Sequence, residues 1–299
     1  MRHRFSLMLI LIIFFQAAVS AQTSYYINSN DGVKIFVQEF GKGAPVVLLA
    51  GGPGLNPDYL QPLWDKLSGN YRCIVLNERG TGKSILPVVD SASMSMDNYV
   101  NDIEALRKYL KLEKLILAGH SWGGMLCMVY LAREPKHVKK IILLDSGGPS
   151  EKFTKTFDAN VNKKLTQRDL EEVKRLDSLG LDDSNAKLPG YFYDRSRALA
   201  AAKTMPENIQ GQQGVFKYTA ANYFAGSGFM MKNLKKTIVP VFLIQGEADP
   251  MGESTAMDIK EVLPQTVIHF IDHAGHFPWL ENPPQVKEFF SVLRKALDN

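Results

Sequence analysis

Short apolar runs alternate with stretches of helical periodicity along most of this chain, and that alternation leaves few folds open. Residues 33–40 alternate as a strand does. Residues 46–50 form a short apolar run, and residues 73–76, 115–118 and 138–144 read as further strands. Between them, residues 59–67 and 122–132 look helical. Asp97 is placed to cap another helix reaching Leu110, with Tyr99, Ile103, Leu106 and Leu110 on one apolar face. Strands alternating with helices predict an α/β fold: a mostly parallel central sheet with helices on both faces.

The rhythm breaks between about 147 and 236. Strand-like runs vanish, polar helical stretches such as 167–176 appear, and aromatics cluster at Tyr191-Phe192-Tyr193 and Tyr223-Phe224. The α/β pattern resumes with 239–245, 266–271 and a last helix over 284–297. We therefore expect a core of residues 22–147 and 237–299, interrupted by a helical cap insertion over 148–236. A composition of 45% hydrophobic and 22% charged residues excludes a disordered chain. A chain of 299 residues suffices for one large core carrying such an insertion.

Residues 1–21 read as a signal peptide. Arg2 and Arg4 make a positive start, residues 5–15 are apolar except for Ser6, and Val19 and Ala21 fit the positions before a cleavage site. The run is shorter than the roughly 20 apolar residues of a membrane span. The expectation is a secreted or periplasmic protein starting near Gln22, with an uncleaved anchor as the alternative. Without Arg2 and Arg4, 33 basic residues face 31 acidic ones, and no basic stripe appears, which speaks against nucleic acid as a partner. Cys73 and Cys127, the two thiols, sit in apolar stretches and read as small buried hydrophobes. They support neither a disulfide framework nor a metal site.

The chemistry lies at three loop ends. Gly119-His120-Ser121-Trp122-Gly123 follows one strand and opens a helix. That context is what a nucleophile elbow needs: two glycines permit a turn too tight for side chains, and Ser121 is lifted above the sheet. A serine hydroxyl needs a base to take its proton, and the base needs an acid to orient it. Asp249 follows the strand at 239–244, and His276 follows the strand at 266–271. All three would meet at one edge of the sheet, where open α/β proteins bind ligands. His273 is a rival base, and Asp145 and Glu247 are rival acids. The backbone N–H groups of Trp122 and of Gly52, in Gly51-Gly52-Pro53-Gly54, are the expected donors to an oxyanion.

These motifs, together with Asn77-Glu78-Arg79-Gly80-Thr81-Gly82-Lys83-Ser84 and Ala274-Gly275-His276-Phe277-Pro278, resemble the α/β-hydrolase superfamily. More narrowly, they resemble its proline iminopeptidase branch, serine aminopeptidases with a helical cap. Ala50, Asn77-Glu78, His120 and Gly124 depart from the commoner forms of that branch. The resemblance implies hydrolysis of short peptides or aminoacyl amides through an acyl-enzyme, with no cofactor. An esterase or lactonase acting on small apolar acyl compounds is the alternative. A non-catalytic binding protein on the same fold is the alternative of another class, and the complete Ser–Asp–His order counts against it. Resembling enzymes bind a free N-terminal amine with cap glutamates, one just before a Tyr-Phe pair. Here that stretch reads Thr219-Ala220-Ala221-Asn222-Tyr223-Phe224, with Glu207 and Glu151 as carboxylates elsewhere in the insertion. Tyr223 and Phe224 are the expected substrate contacts, and neutral or blocked acyl groups the expected preference.

Overall fold

The computed structural model describes residues 23–181, 183–205 and 210–299. The leader, its cleavage point and Glu207 lie outside the described residues. The strands are β1 (Thr23–Asn28), β2 (Lys34–Phe40), β3 (Ala44–Leu49), β4 (Tyr71–Leu76), β5 (Leu115–His120), β6 (Val138–Leu144), β7 (Val241–Gly246) and β8 (Val267–Ile271). They form one sheet in the order β1-β2-β4-β3-β5-β6-β7-β8, in which β2 alone runs against its neighbours. The helices are α1 (Gln61–Leu67), α2 (Met96–Tyr109), α3 (Trp122–Arg133), α4 (Thr154–Asn162), α5 (Gln167–Ser178), α6 (Ser184–Lys187), α7 (Arg195–Ala201), α8 (Val215–Leu234), α9 (Gly252–Val262) and α10 (Pro283–Asp298).

Alternation within each central strand explains why both faces are covered. Val47, Leu49, Leu117, Ile141, Leu143 and Leu243 join one core with residues of α2, α3 and α9. Val46, Leu48, Ile116, Ala118, Ile142, Leu144 and Ile244 join the other with residues of α1 and α10. Cys73 and Cys127 are fully buried and free. Burial pushes the Cys73 thiol up to about 12, so it serves as a hydrophobe. The expected cap of α2 is corrected by two residues: Ser95 accepts the Asn98 N–H, and Asp97 lies inside the first turn, at the positive helix end.

The described residues between β6 and β7 carry five helices, α4 to α8, and no strand of the sheet. α8 lies on α3, α2 and α9, and a turn at Leu188–Tyr191 brings the Tyr191-Phe192 segment beside the loop after β8. No helix among the described residues is long and apolar enough to cross a membrane.

The strand order decides where a site can form. From β3 the chain moves to β4 on one side, whereas β5 lies on the other, so the crevice beyond the ends of β3 and β5 is a topological switch point. Gly51-Gly52 leaves one of those ends and Ser121 the other.

Beside this crevice Arg79 is completely buried. It makes a bidentate pair with Asp102, at 2.8 and 2.7 Å, and reaches Asp31 and the Ser93 carbonyl. Removing one partner of a buried pair strands the other charge. Arg79→Ala should therefore destabilise the fold by about 3–5 kcal/mol. Urea unfolding midpoints check this, and Arg79→Met combined with Asp102→Leu should recover most of the loss.

Candidate active site

Ser121 sits in a backbone conformation that a side chain rarely adopts, with φ 55° and ψ −114°. Two flanking glycines make the turn possible. A Cβ on Gly119 would stand 2.2 Å from the Gly123 backbone, and one on Gly123 would stand 2.4 Å from the Leu49 carbonyl. The Ser121 N–H still donates to the Leu144 carbonyl at 2.9 Å, which ties the turn to β6. Immediately after it, the amides of α3 begin, so the Trp122 N–H lies at a positive helix end.

Asp249 and His276 are brought together as their order suggested. His276 Nδ1 lies 2.9 Å from Asp249 Oδ1, and both side chains are almost wholly buried. Asp249 Oδ1 also accepts the Met251 N–H at 3.0 Å. With Nδ1 engaged, Nε2 is the ring nitrogen left for Ser121, and both residues line the same cavity. The rivals separate. His273 is exposed and paired with Asp272, and Glu247 is exposed. Asp145, in contrast, is buried beside the pair.

Three loops are joined through His120. Its Nε2 lies 3.0 Å from the His276 carbonyl, and its Nδ1 lies 2.7 Å from the Tyr59 hydroxyl. A carbonyl only accepts, so Nε2 carries the proton and Nδ1 accepts from Tyr59. The Tyr59 oxygen then accepts the Gly51 N–H at 2.6 Å. Every member of this chain is satisfied. Burial drives the His120 pKa well below its ordinary value, aided by His276, so the ring stays neutral.

The helices after β6 hold the histidine from above. The His276 N–H donates to the Tyr191 carbonyl at 2.6 Å. Glu281 accepts N–H groups from Tyr193 at 2.7 Å, Gly275 at 3.0 Å and Asp194 at 3.3 Å. Lys164 donates to the carbonyls of Ala248 and Phe192, and its burial lowers its pKa.

The cavity over Ser121 measures about 420 Å³. Gly52 and Trp122 line it, and its walls are mostly apolar: Met125, Phe153, Phe157, Phe216, Phe224 and Met251. Ala220 faces it from α8, and Asp158 and Asp183 add two carboxylates. Phe224 lies where a substrate contact was expected. Tyr223 does not, which is a correction. It is buried against Trp122 with ring centroids 5.6 Å apart, and its hydroxyl donates to the Gly148 carbonyl. One residue along a helix turns a side chain by about 100°, so adjacent aromatics cannot both face the cavity. Glu151 is exposed and outside the lining. Tyr59, Glu281 and Lys164 escaped sequence reasoning because they act on other loops, Tyr59 through the His120 ring and Glu281 and Lys164 through main-chain groups, and no local motif marks that.

The α/β-hydrolase fold model matches residues 44–283, and the chain belongs to that family. A proline iminopeptidase of Lactobacillus crispatus is 27% identical over 85% of this chain and 90% of its own length. Among solved structures, the proline iminopeptidase-related protein of Thermus thermophilus is 21% identical. It superposes with a TM-score of 0.70 over 93% of this chain and 98% of its own. An esterase of Exiguobacterium antarcticum, also 21% identical, superposes with a TM-score of 0.69 over 92% and 99%.

Glu78 is the unusual group under this site. Its Oε2 accepts Trp122 Nε1–H at 2.7 Å and the Ala50 N–H is directed at the carboxyl, while Oε1 is buried without a partner. Burial raises its pKa from 4.5 to about 8; the two hydrogen bonds oppose the shift and the charge of Asp102 adds to it. A carboxyl whose pKa rises on folding contributes stability that is complete below the unfolded value and is lost as pH climbs through the folded one. The melting temperature should therefore fall between pH 4.5 and about 8 through Glu78. Glu78→Gln, a neutral isostere, should flatten that part of the profile, so that the wild-type-minus-variant difference falls between pH 4.5 and about 8. An unchanged profile would assign the dependence to other groups.

Proposed function

We propose that this hydrolase-family chain is a serine hydrolase that works through an acyl-enzyme on small amides and esters with a neutral, apolar acyl group. The observation that carries the reading is the His276–Asp249 pair opening, with Ser121, onto one largely apolar cavity. In this mechanism Ser121 Oγ attacks the acyl carbonyl and His276 Nε2 takes its proton. Asp249 holds Nδ1–H and balances the imidazolium. The N–H groups of Trp122 and Gly52 hold the oxyanion, helped by the positive end of α3. His276 then gives its proton to the leaving group, and water, activated by the same ring, releases the acid. No cofactor is needed at any step.

The amide arm of the reading is supported by the proline iminopeptidase relatives. The neutral acyl group is supported by the stretch 219–224, which carries no carboxylate before its Tyr-Phe pair and turns Ala220 and Phe224 to the cavity. An ammonium without a partner in such a site costs several kcal/mol. A free-amine aminopeptidase is the second reading, and Asp158 and Asp183 favour it. Asp183, however, already pairs with Lys187 at 2.6 Å, and Asp158 is exposed to water. The leader read in residues 1–21 extends the proposal to an exported enzyme.

Three experiments test this. kcat/KM for N-acetyl-prolyl arylamide and for a short aryl ester should exceed that for free prolyl arylamide, and a clear preference for the free amine would restore the aminopeptidase reading. Ser121→Ala should lower kcat by roughly 10⁴-fold or more and abolish fluorophosphonate labelling. Wild-type protein that is not labelled, and binds its ligands unchanged after Ser121→Ala, would be a binding protein instead. N-terminal sequencing of the exported protein should begin at Gln22; intact Met1 in the membrane fraction would mean an anchor.

A further inference from the structure

Asp145 directly follows β6 and is fully buried, with φ 46°. Its N–H donates to the Ile244 carbonyl at 2.9 Å, and its Oδ1 accepts the Gly246 N–H at 2.8 Å, so it is clamped to the end of β7. A clamp of that kind uses one oxygen. The other, Oδ2, is buried and meets no N–H or O–H donor. Asp249 shows the same imbalance: Oδ1 takes His276 Nδ1 and the Met251 N–H, and Oδ2 is buried with no donor. One oxygen of each aspartate and one ring nitrogen of His276 lie within 4.8 Å of one another.

Two adjacent buried carboxylates would each strand an oxygen and repel the other, and a buried acceptor without a donor loses its hydration uncompensated. A single proton removes both faults. We infer that Asp145 is a positioning acid that shares one proton with Asp249, so that the pair carries one negative charge and Asp249 Oδ1 is left to His276. The inference rests on the serine-hydrolase reading for its catalytic consequence, and on the geometry alone for the proton. Burial, and then the Asp249 charge, raise the pKa of Asp145 well above the ordinary carboxylate range, in keeping with this.

Two consequences follow. Sharing the proton spreads the charge of Asp249, which weakens its pull on the His276 proton. Asp145 is also the carboxylate left beside His276 when Asp249 is removed. The other groups facing the pair are Lys164, Glu281 and the Tyr191 phenol. Lys164 is bonded to main-chain carbonyls and Glu281 to main-chain N–H groups, so neither supplies the missing donor.

The test compares Asp145→Asn, Asp145→Leu, Asp249→Ala and the double variant Asp249→Ala/Asp145→Asn in the full protein. An infrared difference spectrum, wild type minus Asp145→Asn at neutral pH, should contain a protonated-carboxyl band. Its absence overturns the proposal whatever the protein does to substrates. Asp145→Asn, which keeps a donor, should hold kcat/KM within about 3-fold. Asp145→Leu should lower it about 10-fold or more and move the acid limb of its pH profile upward. A similar loss with no movement of that limb would mean a packing role only. Asp249→Ala should keep a fluorophosphonate labelling rate at least 10-fold above the double variant; equal rates would overturn the reserve role. Labelling of the wild type reports the serine-hydrolase reading separately.

Discussion

Loops from three different strands have to meet within about 0.5 Å for a site like this to work, and the neutral His120 imidazole is where they are tied. It stands between the Tyr59 hydroxyl and the His276 carbonyl, and Tyr59 in turn fixes the Gly51 amide. The residue after Gly51 supplies a proposed oxyanion donor, the residue after His120 is the proposed nucleophile, and His276 is the proposed base. One ring therefore sets the separation of all three. This works only because the ring is buried and uncharged: an imidazolium would have two donors, and the Tyr59 oxygen would then face two N–H groups while its own proton lost its acceptor. The choice of His at 120, a departure from the commoner form of the resembling branch, goes with the choice of Tyr at 59.

Charge management follows the same logic. Glu78, Asp145, Asp249 and Glu281 all lie close to a place where an oxyanion would have to form, and Lys164 is the ammonium bonded beside the acid loop. Four ionised carboxylates there would oppose the reaction. Burial raises the pKa of Glu78, Asp145 and Glu281, and on Glu281 three main-chain N–H groups oppose that rise by favouring the ionised form. With Asp145 and Asp249 sharing a proton as proposed, that pair presents one negative charge to His276 Nδ1, on the side away from the ring nitrogen left for Ser121. That is where a charge helps, because the imidazolium formed during attack is stabilised and the oxyanion is not confronted.

Much of this was legible in the sequence, for physical reasons that differ by residue. Central strands buried on both faces must be apolar, so β5, β6 and β7 announce themselves; β6 runs over 138–144, as read. β1 was missed, because an edge strand with exposed residues carries no such run. The Ser121 turn was readable because sterics demand glycine at 119 and 123. The His276–Asp249 pairing was readable because both follow strands that end at the same edge. Asp145 follows an adjacent strand at that same edge, which is why it stood as a rival acid. Sequence order alone could not tell a competitor from a partner of Asp249. Tyr223 was misplaced because the helical phase of α8 could not be fixed without knowing that α8 lies on α3.

The segment between β6 and β7 does two mechanical jobs, and they fall on different pieces of it. Residues 164–194 clamp the catalytic edge: Lys164 holds the Ala248 carbonyl beside Asp249, Tyr191 takes the His276 N–H, and Tyr193 and Asp194 share Glu281 with Gly275. Any rearrangement there drags the acid and base with it. α8 instead offers Phe216, Ala220 and Phe224 to the cavity while its Tyr223 packs against Trp122. Its cavity face makes none of the bonds that hold His276. A chain that has to change its acyl group without losing its geometry can therefore do so on α8, as on the walls at Phe153 and Phe157, more readily than on residues that hold the acid and base. Ala220, in the stretch that reads Thr219-Ala220-Ala221-Asn222-Tyr223-Phe224 without a carboxylate, lies on that permissive wall.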